Sequence, residues 1–268
     1  MSLDRKIQGL SLKVGPLGEN DRLLTLLSAE EGIIRIAIPG ARRPKSPLAA
    51  TSALTFLELQ IGGKSNLRRA RQIKVLKSFS QLGERLETLA AAQSLIELSL
   101  LLVGQNDPQP EILKTLLFHL ERLEQPSIEH LEVLANCVQS CVHLLALGGY
   151  GLPVQKCFSS GNSLNPPIGN WDWVCSLITD EGFAIGRLPA AAITLNASEL
   201  ALLQRLLHAP LPLKKSGELL GPFTVWMKLL QVVELWIEAH LNRKLNALKL
   251  LKDSVVSANH FSEQQDNF

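Results

Sequence analysis

Tyrosine occurs once and tryptophan four times in these 268 residues, and all five lie beyond residue 149. The first eighty residues hold only Phe56 and Phe79 as aromatics. So few rings leave no platform on which successive bases could stack in that stretch. Acids are scarce where bases are dense: from Arg35 to Lys77, Glu58 stands alone against ten Lys and Arg. Cysteine appears four times, and Met1 to Ile7 carries no apolar leader. Reduced thiols in a cytosolic compartment are expected rather than a disulfide framework. The most apolar run, Leu95 to Val103, contains Glu97 and is too short to span a bilayer. Also missing are the Gly-x-x-x-x-Gly-Lys-[Ser/Thr] phosphate loop, the Gly-x-Ser-x-Gly elbow and the His-Glu-x-x-His zinc helix. His143, His208 and His240 sit in helical stretches, and Glu30-Glu31 and Asp180-Glu181 look like exposed turns. A nuclease would need an acid cluster within residues 1–80, which hold six acids in all. Catalysis and a small-molecule substrate are not expected.

What is present is segregated charge. Residues 1–80 carry fourteen Lys/Arg and six Asp/Glu, a net of +8, and the remainder carry thirteen and nineteen, a net of −6. The two halves sum to +2. Such asymmetry points to a polyanion partner for the first half and another role for the second.

Secondary structure changes at the same place. Ile7 to Val14, Gly32 to Gly40, Leu54 to Ile61 and Leu67 to Lys77 read as strands. Ile34, Ile36 and Ile38 alternate with Arg35, while Ile73 and Val75 are expected inside and Phe56 in the core. Glu19 to Leu27 fits a strand or a short helical turn, with strand the preferred reading. Short strands between Gly/Pro turns predict a small closed barrel or sandwich. After Ser80 the period becomes 3.6. Helices are expected over residues 82–102, from Pro110 to about Glu124, from an N-cap at Ser127 to Gly148, from Ser198 to about His208, and once or twice between 216 and 251. The fold class is α+β. It comprises a basic β domain over 1–80 and a helical domain over 81–252, with a loop-rich insert at about 150–197. A disordered tail is expected over 253–268.

Gly40-Ala-Arg-Arg-Pro-Lys-Ser follows a strand directly, and prolines at 39, 44 and 47 are expected to keep it extended and exposed. Cations on such a loop suit phosphate contact, where each contact releases counterions. The candidate DNA-binding residues are Arg35, Arg42, Arg43, Lys45, Lys64, Arg68, Arg69 and Arg71. With so few aromatics, binding should be driven by the phosphate backbone, depend steeply on salt and accept single and double strands. The competing reading is a protein-interaction adaptor whose basic face meets an acidic protein and binds no DNA directly.

Gly18-Glu-Asn-Asp-Arg-Leu-Leu-Thr-Leu-Leu, Gly32-Ile-Ile-Arg and Gly40-Ala-Arg-Arg-Pro-Lys-Ser resemble the N-terminal domain of the RecO family of bacterial recombination mediators. His143-Leu-Leu-Ala-Leu-Gly-Gly-Tyr-Gly-Leu-Pro and Glu238-Ala-His-Leu-Asn-Arg-Lys-Leu look like that family's helical domain. The similarity runs in order over about residues 5–250. It implies an OB-fold on a helical domain, binding of single- and double-stranded DNA, strand annealing in DNA repair, and a cytoplasmic place at the nucleoid. It also implies partnership with RecR and with the single-stranded-DNA-binding protein, so that RecA can load. The acidic, apolar C-terminal tail of that protein would need an apolar groove with a cation at its rim. Arg205, Lys214, Lys215, Arg243 and Lys244 are the candidates, with Lys228.

Many members of that family carry zinc in the insert on two Cys-x-x-Cys pairs. Here the pairs read Cys157-Phe-Ser-Ser160 and Cys175-Ser-Leu-Ile178, so one cysteine of each is gone. Structural zinc takes four N or S ligands, and Ile178 offers none. No metal or other cofactor is expected, Cys137 and Cys141 are expected as buried thiols on a helix face, and Trp171 and Trp173 are expected to pack the insert instead.

Overall fold

The computed structural model describes residues 4–46, 48–49, 51–63 and 67–265. The chain forms two compact units: residues 1–85 with 99–124, and residues 86–98 with 125–268.

In the first unit, β1 (Arg5–Leu17), β2 (Asp21–Ser28), β3 (Gly32–Ile38), β4 (Thr55–Gly62) and β5 (Leu67–Ser78) close into a barrel of order β1-β2-β3-β5-β4. Closure depends on the length of β1. Its first half pairs with β4, from Arg5↔Ile61 to Ser11↔Thr55, and its second half pairs with β2, from Gly9↔Ser28 to Leu17↔Asp21. Gly9 lies in the overlap, where a Cβ would strike the Leu27 carbonyl, and a bulge between Ser11 and Lys13 bends the strand from one partner to the other. Ile7, Leu24, Leu26, Ile34, Ile36, Ile38, Leu57, Leu59, Ile61 and Ala70 fill the interior.

The barrel reading therefore holds, and Glu19–Leu27 resolves as a turn leading into a strand. Two inward assignments do not hold. Phe56 is half-buried rather than core, and Val75 is 43% exposed. β3 accompanies β5 only from Leu67 to Arg69. Beyond that, β5 is paired on the β4 side alone, with bulges opposite Phe56/Leu57 and Gln60/Ile61, so its later side chains lack cover.

The helix α2 (Pro110–Leu123) starts on a proline, whose missing N–H costs nothing at that position. It packs on β1 and β2. Ile33 N–H donates to the Gly104 carbonyl (3.0 Å) and Lys77 Nζ lies 2.8 Å from Glu121 Oε1. Gly32 sits at φ +65° where a Cβ would meet the Asp107 and Gly104 carbonyls, so only glycine fits. The compact unit that holds the barrel also includes α2.

The second unit is built around α3 (His130–Leu147), which packs on α5 (Phe223–Leu241) and α6 (Asn246–Gln265). Among the described residues α3 alone has the length and hydropathy of a membrane span; 67% of it is buried inside the protein, the position of a core helix. The helix α1 (Leu86–Leu102) begins in this unit and ends in the other. Glu129, not Ser127, caps α3, in a reciprocal box with Glu132. Asn196, not Ser198, caps α4 (Ala197–Arg205): Glu199 N–H donates to Asn196 Oδ1 (2.9 Å) and Asn196 N–H to Glu199 Oε2 (2.8 Å).

Two expectations fail in this unit. The insert is not wholly irregular: β6 (Val174–Ile178), β7 (Gly182–Ile185) and β8 (Ile193–Asn196) form an antiparallel sheet of order β7-β6-β8. The tail expected to be disordered from Asp253 is helical to Gln265, with Val255 fully buried.

Candidate nucleic-acid interface

Every residue of β3 is buried except Arg35. Its neighbours are Thr25 on β2 and Leu67 on β5, and two residues further along Arg69 stands opposite Ala37. Side chains two apart on a strand share a face, so Arg35 and Arg69 point outward from adjoining strands. Leu17, Leu23, Leu67 and Gln105 surround Arg35 and enclose a cavity of about 220 Å³. The sequence reading missed these four. An outward leucine in a strand gives little signal, and Gln105 arrives from the segment before α2.

The β3–β4 connection is exposed but not extended. It runs as successive turns, with Arg43 N–H donating to Gly40 O (3.0 Å), Ser46 N–H to Arg43 O (3.2 Å) and Ala49 N–H to Ser46 O (3.1 Å). Proline favours such turns as readily as extended chain. Several bonds tie the loop to the barrel rim. Gly40 N–H donates to Asp21 Oδ1 (2.8 Å), and the Arg22 guanidinium donates to the Thr51 carbonyl (2.9 Å). Arg42 binds the β1–β2 turn through both its backbone and its side chain. Arg43 and Lys45 project into solvent, Lys45 from a left-handed conformation at φ +59°.

Among the described residues Arg35, Arg42, Arg43, Lys45 and Arg69 form no ion pair. Arg68 and Arg71 differ. They belong to the end of the barrel where β1 begins and β2 turns into β3. There Arg68 donates to the Gly63 carbonyl (2.6 Å) and lies 3.8 Å from Glu31, which also pairs with Arg5, while Arg71 Nε lies 3.0 Å from Asp4. Lys64 lies outside the described residues. The seven described candidates thus do not make one uniform surface. Glu58, the acid within the basic stretch, is held below its ordinary range first by the Gln8 amide and then by the Lys6 charge.

The cations expected around a partner tail are separated. Arg205, exposed at the end of α4, lines an apolar groove of about 380 Å³ with Ile168, Leu202, Leu220, Pro222 and Val225. Lys214 is paired with Glu218 (2.8 Å) beside Glu129 and Glu132, and Lys244 is paired with Glu238 (3.2 Å) in a groove shared with Glu234 and Asp253. Lys215 and Arg243 are exposed. Lys228 is engaged by Glu199 at 2.7 Å.

Cys157 and Cys175 converge on one corner of the insert. Cys175 lies opposite Ile185 in the sheet, and the Ile185 N–H reaches the Cys157 sulfur. Burial pushes the Cys157 thiol up, but hydrogen bonds from Ser159 (3.2 Å) and Ser160 and from the Ile185 and Ser160 N–H groups together draw it down to about 6. Burial, then the Cys157 charge, pushes Cys175 up to about 12. Ser160 and Ile178 stand where a zinc site would place its other thiolates, and this set does not fit tetrahedral zinc. Among the described residues no three His, Cys, Asp or Glu side chains gather to hold a metal. Cys137 and Cys141 lie one turn apart inside α3, where a hydrogen bond to Cys141, then burial, pushes the Cys137 thiol up. Trp171 does not pack the insert: it is 90% exposed, and Phe183, Leu177, Leu195 and Leu164 fill that interior instead.

A closed five-stranded barrel of this strand order is of the OB-fold type. The family model described as recombination protein O N terminal matches residues 1–79, and the one described as recombination protein O C terminal matches residues 83–249. The chain is 60% identical over 263 residues to the DNA repair protein RecO of Prochlorococcus marinus strain MIT 9303, covering 96% of this chain and 98% of that one. It is 57% identical over 254 residues to the protein of that name from Synechococcus sp. strain CC9605, covering 95% and 98%. It is 30% identical over 272 residues to that of Trichodesmium erythraeum, covering 92% and 93%. The chain belongs to the RecO family.

Proposed function

We propose that this chain is a non-enzymatic DNA-binding mediator of recombinational repair, acting in the cytoplasm at the nucleoid. It binds single and double strands through Arg35, Arg42, Arg43, Lys45 and Arg69, with Lys64, Arg68 and Arg71 contributing beside them. Neutralising phosphates on two strands lowers their repulsion and lets complements pair. The observation that supports this reading is the set of five cations on β3, β5 and the β3–β4 loop that form no ion pair among the described residues. Arg68 and Arg71 remain available, because exposed ion pairs are worth only about 0–1 kcal/mol and a phosphate can replace the carboxylate.

The mediator role also requires protein contacts: RecR, and the C-terminal tail of the single-stranded-DNA-binding protein, so that RecA loads on coated strands. Of the five tail-binding candidates, Arg205 fits best. Its groove is apolar, and the groove's acid, Glu199, is already occupied by Lys228 and the Asn196 N–H.

The decisive experiment is annealing of complementary strands coated by that protein, comparing wild type with R42E/R43E/K45E. Annealing should be lost while the circular dichroism spectrum stays unchanged; full activity in the triple variant would remove the loop from the mechanism. A pure adaptor would bind no oligonucleotide even at low salt.

A further inference from the structure

We propose that the cavity beside Arg35 receives one unstacked nucleobase of single-stranded DNA. This rests on the reading that the barrel binds DNA and adds what that reading lacks, a contact that only an unpaired strand can make.

The cavity lies on the outer face of β2 and β3, the face with which OB-folds bind oligonucleotides. Its walls are Leu17 at the end of β1, Leu23 at the start of β2 and Leu67 at the start of β5. Leu67 leaves 42% of its surface in water beside Arg35, so its wall of the cavity offers apolar area that a ligand can cover. At about 220 Å³ the space is smaller than the roughly 300–1,000 Å³ of pockets that bury drug-sized ligands. It suits one planar heterocycle rather than a stacked run.

The polar groups fit the same ligand. The Arg35 guanidinium is planar, unpaired with any acid among the described residues, and able to stack on a base or donate to its carbonyl or ring nitrogen. Gln105 is exposed on the segment that bridges to Gly32, and its amide offers both a donor and an acceptor to a base edge. Arg69 projects from the same face two residues beyond Leu67, placed for a flanking phosphate. Leucine walls accept any base face, so the contact tolerates any sequence. A base held in a duplex is stacked on both sides and cannot enter. The surface cations treat the two forms alike, and this cavity separates them.

The test compares an oligothymidine with an abasic oligonucleotide of equal length, which keeps the phosphates and removes the bases. Fluorescence anisotropy should show the full chain binding oligothymidine about five- to tenfold more tightly, the lower end of what a base stacked on an aromatic side chain contributes, since leucine and arginine take the place of the ring here. L67N, at an exposed position, should abolish that difference and leave abasic binding unchanged; L17N should do the same from another wall. Equal affinity of the wild type for both probes overturns the pocket and leaves the charge-driven reading standing. Retention of the difference in both variants also overturns it, because the base is then held elsewhere. Failure to bind either probe at low salt overturns the pocket and the DNA-binding reading together.

Discussion

Arg42 grips the β1–β2 turn twice, its guanidinium donating to the Gly18 carbonyl at 2.9 Å and its backbone N–H to the Asn20 carbonyl at 2.9 Å. The loop that carries the exposed cations is therefore held in place before any ligand arrives, and part of the ordering cost of binding is already met. Arg43, one residue on, has no such duty. R43A should leave the melting temperature unchanged and reduce the slope of log affinity against log salt by about 0.9 on duplex and about 0.7 on single strands, the release from one phosphate. An unaltered slope would show that Arg43 does not touch the backbone.

Cys157 gives stability a pH dependence. Its folded thiol titrates at about 6 against an ordinary value of 9.0, so the folded chain holds the thiolate where the unfolded chain holds the thiol. The stabilisation is complete above about pH 9 and drains away as pH falls through about 6. Cys175, raised to about 12, has the opposite sign and enters only where its unfolded thiol ionises, near 9 and above. Urea midpoints should therefore rise between about pH 6 and pH 8.5 in the wild type, and C157A should flatten that part of the rise. A profile identical in both proteins would mean that the serines do not hold a thiolate.

Purified protein should contain well under one zinc per chain by elemental analysis, since the corner of Cys157 and Cys175 supplies two thiols and lacks the remaining ligands. Stoichiometric zinc would show that the chain recruits ligands from elsewhere.

The two ends of the tryptophan range should behave oppositely. Trp226 is fully buried and its indole N–H donates to the Leu220 carbonyl at 3.0 Å. W226A should cost about 3–5 kcal/mol. Trp171 is 90% exposed, and W171A should change stability by no more than about 0.5 kcal/mol. Chemical denaturation of each variant reads both values.

Val255 tests the C-terminal helix. It is fully buried, and Lys252 reaches Glu234 on α5 at 2.6 Å. V255D places a carboxylate in that interior and should lower stability by about 2 kcal/mol or more. A disordered tail would tolerate the change.

Much of the barrel was legible because its period is strict. Ile34, Ile36 and Ile38 bury one face and Arg35 breaks the other, and no helix can satisfy that pattern. The exposure of the Arg-Arg-Pro-Lys loop was legible from its cations and prolines, but its folding was not: it runs as turns, and Arg42 bends back to the Gly18 carbonyl. The pairing of Arg68 and Arg71 was hidden, because their acids, Glu31 and Asp4, lie far away in sequence and meet them only when β1 and the β2–β3 turn close the barrel. The sheet of β6, β7 and β8 was hidden for another reason. Strands of four and five residues are too short to display alternation above the noise of a Pro- and Gly-rich stretch. The polar character of residues 253–265 suggested disorder, yet a few apolar contacts such as Val255 are enough to dock a helix whose other face is wet.

The seating of α2 on β1 and β2 has a consequence for anyone wishing to isolate the nucleic-acid-binding part. Cut at Ser80, the barrel would lose the Gly104 carbonyl that receives the Ile33 N–H, the Glu121 carboxylate that anchors Lys77, and the helix lying over its first two strands. The severed piece would show water a bare oily flank over β1 and β2. Its natural covering is spelled out some thirty residues downstream, so the smallest self-sufficient fragment cannot be a single stretch ending where the strands end.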